Sequence, residues 1–375
     1  MNKFLSPALL MLSGLALAVQ ALNVSAAPLA DRLERASRHT ALAIEQPLTD
    51  VQKVGDQLVM VGAAGHILLR SPSATLQANT PVDLLLTAVY FVDDRNGWAV
   101  GHDGVILHSS DGGNTWVRQL EGRAISQLML KWAESEVARL ELASAAAPED
   151  ESLISALDNA NFALDDAKAG VEAGPSRPLL DVWFRDAQEG WAVGAYGMIV
   201  HTRDGGSSWE FLSCLENPER LHLNAVLGTA DGSVLVAGEG GRMYRQSAGQ
   251  WQTLEPLTKA SLYKLMTLRD GQTLAMGFGG ALYLSADQGL SWQNIPLNSK
   301  ASLYGGTQLN DGTLLLTGSA GSLMYSNDLK HFRLWQGSAK SPLLGAAQLA
   351  EGQLALIGSN GLRVLPLADI KEQLQ

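Results

Sequence analysis

From Leu86 to Trp116 the chain reads Leu-Thr-Ala-Val-Tyr-Phe-Val-Asp-Asp-Arg-Asn-Gly-Trp-Ala-Val-Gly-His-Asp-Gly-Val-Ile-Leu-His-Ser-Ser-Asp-Gly-Gly-Asn-Thr-Trp. Short apolar runs alternate with turn residues. The pattern predicts strand A from Leu86, a turn, strand B over Gly97–Gly101, a tight turn, strand C, a second turn, and strand D after Trp116. A sister unit starts at Leu180 and repeats Gly-Trp-Ala-Val-Gly at Gly190–Gly194 and a turn ending in Trp209. The Gly-x-x-Gly at the B–C turn recurs seven times, at Gly62/Gly65, Gly101/Gly104, Gly194/Gly197, Gly238/Gly241, Gly277/Gly280, Gly318/Gly321 and Gly358/Gly361. Strand-and-turn repeats with a period of about 40 residues mark a β-propeller, one four-stranded blade per repeat. The expected fold is therefore all-β: a seven-bladed propeller spanning residues 37–366, its turn glycines at positions of positive φ.

The interval between Gly101 and Gly194 is too long for one repeat, and the excess reads as helix. Ala124 to Ala147 forms one segment. Glu151 to Val171 forms a second, with Leu153, Leu157, Ala160, Leu164, Ala167 and Val171 on a coiled-coil seam. Residues 121–174 are thus expected as an antiparallel helical hairpin that packs on itself. It interrupts a D–A connection, so it should rise from the face that carries the B–C turns. Glu121 to Glu172 holds eleven acids and four bases, a net −7 in a chain of formal charge −11. The last repeat has no evident strand D, so Thr40–Ile44 is expected to supply it and close the ring.

Residues 1–26 read as a secretory signal: Lys3, an apolar Phe4–Leu22 stretch, then Val24-Ser25-Ala26 before a cut after Ala26 or Ala27. A periplasmic location is the expectation. Cys214 is the single cysteine, which excludes an internal disulfide and a cysteine-based metal site. A pI near 5.1 with no basic run argues against nucleic acid as partner.

Ser109-x-Asp111-x-Gly113-x-Thr115-Trp116 is an Asp box. Thr202, Asp204, Gly206 and Trp209 repeat it, as do Ser285, Asp287, Gly289 and Trp292. Hydroxyl and carboxylate are expected to bond backbone amides of a C–D turn while the Trp fills space between blades, a structural role. The candidate partner-binding residues are the B–C turn side chains His102, Asp103, Tyr196, Glu239, Phe278, Ser319 and Asn360, with Trp132, Glu134 and Asp158 on the hairpin. Mixed aromatic, acidic and amide groups suit recognition better than chemistry. No catalytic residue, metal site or cofactor is expected: the chain lacks a nucleophile elbow, a P-loop and a His-x-x-x-His pair.

The Gly-Trp-Ala-Val-Gly units, each followed by a Ser/Thr-x-Asp-Gly-Gly box, resemble the photosystem II stability/assembly factor family, which are exported, non-catalytic seven-bladed propellers. The resemblance spans about Thr49 to Leu365 and implies an assembly or adaptor role on an integral membrane protein or envelope complex. The acidic hairpin and the lack of an evident arginine cluster on the B–C face depart from that family. Nothing in the chain indicates photosynthesis. Relatives in non-photosynthetic bacteria look like envelope accessory proteins, some accompanying transporters of the resistance-nodulation-division type. Asp boxes also occur in sialidases, so glycoside hydrolysis is the rival class, and a carbohydrate or small-ligand binding propeller is a third. Hydrolysis would need clustered arginines, whereas Arg70, Arg95, Arg185, Arg242 and Arg245 are scattered in the sequence.

Overall fold

A computed structural model describes residues 31–336, 340–349 and 352–373; the signal-peptide expectation lies outside them. Blade 1 comprises Leu48–Val54, Gln57–Gly62, Ile67–Arg70 and Thr75–Gln77, and blade 2 comprises Leu86–Phe91, Gly97–Gly101, Ile106–Ser109 and Val117–Leu120. Blade 3 follows with Leu179–Phe184, Gly190–Gly194, Ile199–Thr202 and Glu210–Phe211, and blade 4 with Leu223–Gly228, Val234–Gly238, Met243–Ser247 and Gln250–Leu254. Blade 5 is Leu262–Thr267, Thr273–Gly277, Leu282–Ser285 and Gln293–Asn294; blade 6 is Leu303–Gln308, Leu314–Gly318, Ser322–Ser326 and Arg333–Gln336. Among the described residues blade 7 has Leu343–Gln348, Gln353–Gly358 and Gly361–Pro366. The fold is a seven-bladed propeller of antiparallel sheets, with four strands in six of them and three in the seventh among the described residues. Strand A of each blade packs beside strand A of the next, and blade 7 meets blade 1. Thr49 Oγ1 to the Leu86 carbonyl, Thr87 Oγ1 to that of Leu179, and Asn224 Nδ2 to that of Leu262 lace neighbouring strands A together.

The expected strand over Thr40–Ile44 is instead a 3-10 helix, Ala41–Glu45, started by the Thr40 hydroxyl accepting the Leu42 amide. Its Ala43 and Ile44 pack with Leu48, Met60 and Ile357. Among the described residues the ring is closed by this apolar packing between blades 7 and 1, and Thr40–Ile44 adds no strand.

The repeated glycines do two different jobs, which corrects the expectation of positive φ at both. The second glycine of blades 1 to 3 is left-handed, with φ of 69° at Gly65, 66° at Gly104 and 73° at Gly197. The first is extended, with φ of −176° at Gly101 and −173° at Gly277. There the constraint is space. A Cβ on Gly62, Gly101, Gly194, Gly238, Gly277, Gly318 or Gly358 would overlap a backbone carbonyl just before strand A of the same blade. A Cβ on the second glycine of blades 1, 4 and 5 would overlap the carbonyl of Val82, Thr258 or Ser299, in the connection leaving that blade. In these blades the turn is wedged between two D–A connections. Both contacts are backbone on backbone, so only glycine fits.

The three full Asp boxes form C–D turns bonded within themselves. Ser109, Thr202 and Ser285 hydroxyls accept the amides of Gly113, Gly206 and Gly289 at 2.8–2.9 Å. The Asp111, Asp204 and Asp287 carboxylates take the amide and hydroxyl of Thr115, Ser208 and Ser291. Trp116 and Trp292 donate their ring N–H to the carbonyls of Gly113 and Gly289, whereas the buried Trp209 N–H has no partner. The Ser208 hydroxyl and amide hold Asp204 down at about 2, from 3.8, and the same groups of Ser291 lower Asp287. A carboxyl depressed on folding stabilises fully above its unfolded pKa and loses that contribution as pH falls through the folded one. The urea midpoint is therefore expected to hold from about pH 7 to 4 and to drop between about pH 4 and 2. Asp204→Asn should flatten part of that drop; a variant with the same acid limb as the parent would dismiss this origin.

A charge bridge joins the strands A of non-adjacent blades. Lys264 Nζ, from strand A of blade 5, lies 3.7 Å from Asp50 of blade 1 and 3.5 Å from Asp181 of blade 3. Ala88, Ala225, Gly305 and Gly345 hold the corresponding places of the other blades and leave room for it. Asp50 also accepts the Val89 amide and Asp181 the Val226 amide, so each carboxylate ties two blades. Burial alone would lower the Lys264 ammonium, but the two carboxylates outweigh it and hold it above its ordinary value.

Candidate protein-binding cleft

The insertion folds into two helices, α1 (Gly122–Ala146) and α2 (Glu151–Ala173). Each starts on a side-chain cap: Glu121 accepts the amides of Arg123 and Ala124, and Asp150 those of Ser152 and Leu153. Towards its tip the arm has its own small core of Val137, Leu140 and Ala160 with Leu153, Leu157 and Leu164. Its base belongs to the propeller. Ile125, 1% exposed, and Met129 pack with Trp98, Leu179, Phe184 and Met198 between blades 2 and 3.

Between the arm and blade 3 lies a cleft of about 520 Å³. Met129 and Trp132 of α1 and Phe162 and Asp166 of α2 form one wall; Tyr196, Phe211 and the Leu212–Arg220 connection form the other. Trp132 meets Phe211 with ring centroids 5.6 Å apart. Tyr196 is 52% exposed and Phe162 67%, a large apolar area for two residues that pack on cations. Arg177 lies over the Tyr196 ring at 5.4 Å and Arg220 over the Phe162 ring at 4.9 Å. Both guanidiniums reach the same carboxylate, Asp166 Oδ2, at 3.0 and 2.6 Å. Two cations thus share one anion, and Glu216 also lines the cleft, so charges of both signs meet there. Next to it, Arg242 pairs with Glu219 at 2.6 Å.

This arrangement brings together two arginines that the sequence shows as isolated. Arg177 and Arg220 sit in the connections entering and leaving blade 3, far apart in sequence, and only the ring geometry joins them. Of the sequence candidates, Tyr196 and Trp132 line the cleft. Tyr196 has φ of 57°, a left-handed conformation unusual for so large a residue. Glu239 sits one blade further round and accepts the His222 amide and ring Nδ1 at 2.8 and 2.9 Å, with the His222 ring tilted against Tyr196 at 5.1 Å between centroids. Asp103, also left-handed, meets the arm's first residue Gly122. His102, the 58%-exposed Phe278, Ser319 and Asn360 are spread around the remaining turns, and Glu134 and Asp158 are exposed on the arm; none of these lines the cleft. Ser319 Oγ accepts the Ser302 amide and Asn360 donates to Ser341 Oγ.

Of the five arginines scattered in the sequence, only Arg242 comes near the cleft. Arg70 bonds Thr75, Arg95 the Ser110 carbonyl, Arg185 pairs with Glu189, and Arg245 with Asp231. His108 and His201 stack on Trp98 and Trp191, and His201 is held between Glu189 and Glu210. Among the described residues no group of three side chains is placed to hold a metal ion, and no helix is long and apolar enough to cross a membrane.

Residues 167–340 match the family model described as photosynthesis system II assembly factor YCF48. YCF48 bound to D1 peptide superposes with a TM-score of 0.56 at 16% identity, covering 86% of this chain and 93% of its own. YCF48 from Cyanidioschyzon merolae gives 0.56 at 14%, covering 88% and 97%. The chain is similar to the photosystem II assembly factor propellers. The WD40 propeller of Doa1 is similar in fold alone, with a TM-score of 0.57 at 12% identity over 89% of this chain and 96% of that one. No curated protein sequence matches. The matched stretch holds Arg177, Tyr196, Phe211 and Arg220, whereas Trp132, Phe162 and Asp166 precede it. One wall of the cleft lies inside the family match and the other is built by the arm.

Proposed function

We propose that this protein is a non-catalytic adaptor, exported to the periplasm, that grips a segment of a membrane-protein complex in the cleft between the arm and blade 3. A transporter of the resistance-nodulation-division type is the client class put forward. The observation that carries the reading is the pairing of exposed Tyr196 and Phe162 with two guanidiniums that share Asp166. An incoming apolar side chain would bury the rings, and a carboxylate beside it would satisfy the second guanidinium. That YCF48 is known bound to a peptide supports peptide binding by a propeller of this shape.

The test uses Tyr196→Gly with Phe162→Ser. Glycine suits the left-handed backbone at Tyr196, and Phe162 is largely exposed, so the melting temperature should not fall. Aromatic anchors at the centre of an interface contribute about 2 kcal/mol each, so removing both should lower affinity by roughly several hundredfold. Crosslinked capture from native envelopes should recover one membrane complex with the parent and lose it with the double variant. Equal recovery by both proteins would refute the cleft as the site. Removing Glu121–Glu172 whole would be less informative, because it also strips Ile125 from the core between blades 2 and 3.

A further inference from the structure

Among the described residues blade 7 ends at strand C, Gly361–Pro366, where six other blades go on to an outer strand. Strand C pairs with strand B in the register Gly358↔Gly361, Ile357↔Leu362, Leu356↔Arg363, Ala355↔Val364. In other blades the residue in Leu362's place gives its carbonyl to the outer strand: Ile67 to Ala78, Ile199 to Leu212 and Leu282 to Ile295. Alternation along the strand then turns the backbone groups of Leu362 and Val364 outward. Among the described residues no hydrogen bond reaches them. Neighbouring segments of the chain are committed elsewhere. The 3-10 helix Ala41–Glu45 lies at the Gly361 end, Ser37 and Thr40 bond Ala64 and Gln77 of blade 1, and α3 (Leu367–Gln373) buries Leu367 and Ile370 between blades 6 and 7.

We propose that blade 7 takes its fourth strand from a partner protein, as an extended segment of about four residues added along Gly361–Pro366. The chain's own outer strands show what fits: Val117–Leu120, Gln250–Leu254 and Arg333–Gln336 mix polar residues with one or two large apolar ones and contain no proline. Ile44 and Leu367 bound the free edge, which limits the added strand to a few residues. A second copy of this chain is the poorer occupant. Antiparallel self-pairing that joins Leu362 to Val364 sets Arg363 directly opposite Arg363, and like charges so placed destabilise a strand pair. Pro366 removes a donor from the alternative registers.

Amide hydrogen exchange on the full chain tests this, with a synthetic peptide of residues 248–257, which carries the blade 4 outer strand, as probe. Leu362 and Val364 should exchange fast in the protein alone and slow at least about tenfold with the peptide. The same peptide N-methylated along its strand should protect neither amide, which keeps the test independent of any protein variant. Three results would overturn the proposal. Slow exchange in the monomer alone would mean that the chain fills its own edge, residues before Asp31 included. Protection that rises with protein concentration would mean self-pairing. No protection at millimolar peptide would mean that the edge does not accept a strand. The cleft variants above are read by capture from envelopes, so the two ideas fail separately.

Discussion

Lys264→Met is expected to lower the unfolding free energy by about 3 to 5 kcal/mol, because it leaves two carboxylates facing each other. Asp181 is 6% exposed, and burial pushes its carboxyl above the ordinary value against the pull of Lys264. Without the ammonium that carboxyl should titrate higher still. A group whose pKa is raised on folding stabilises below its unfolded pKa and loses that contribution as pH rises through the folded one. The deficit of Lys264→Met should therefore be largest near neutral pH and shrink on acidification towards about pH 4. Adding Asp50→Asn and Asp181→Asn should restore most of the loss, since each amide oxygen can still accept its strand N–H. Denaturant unfolding of the parent, single and triple variants at two pH values decides it. A triple variant no more stable than the single one would mean that the bridge matters for shape rather than charge.

Two glycines in one turn should respond very differently. Gly277→Ala sets a Cβ into the Ser261 carbonyl and 2.7 Å from the Leu262 Cα, and backbone cannot swing aside as a side chain does. Its cost should be about 3 kcal/mol, the top of the usual range for overpacking. Gly279→Ala meets nothing within 4 Å. Its φ of 66° is one that Ala64 and Ala320 adopt in the equivalent turns of blades 1 and 6, so the cost should be about 1 kcal/mol. Equal losses would show that the turn is limited by backbone conformation rather than by the connection packed on it.

The propeller was legible because its signals are local and repeated: Gly-Trp-Ala-Val-Gly, the Asp boxes and the heptad-like seam of α2 each lie within one stretch of chain. What escaped depends on segments far apart in sequence. Nothing near Gly101 reveals the Leu85 carbonyl against it, so positive φ was the natural but wrong explanation for the first glycine. Thr40–Ile44 is a short apolar run, for which periodicity cannot separate strand from helix. Its Thr40 cap and its docking against Gly361 decide for the 3-10 turn. Within the cleft, Tyr196 and Trp132 were visible as aromatics on the right elements. Phe162 looked like any exposed helix residue, and Arg177 and Arg220 like isolated charges in linkers.

The arm leaves and re-enters the ring at nearly one point: a Cβ on Gly122 would stand 2.9 Å from the Pro175 Cα. Such a pinched neck makes its length a free variable. Helices can be lengthened, shortened or exchanged beyond the neck without altering the register of any blade, provided Ile125 stays in place. Client preference could therefore diverge by grafting new arms onto an unchanged ring.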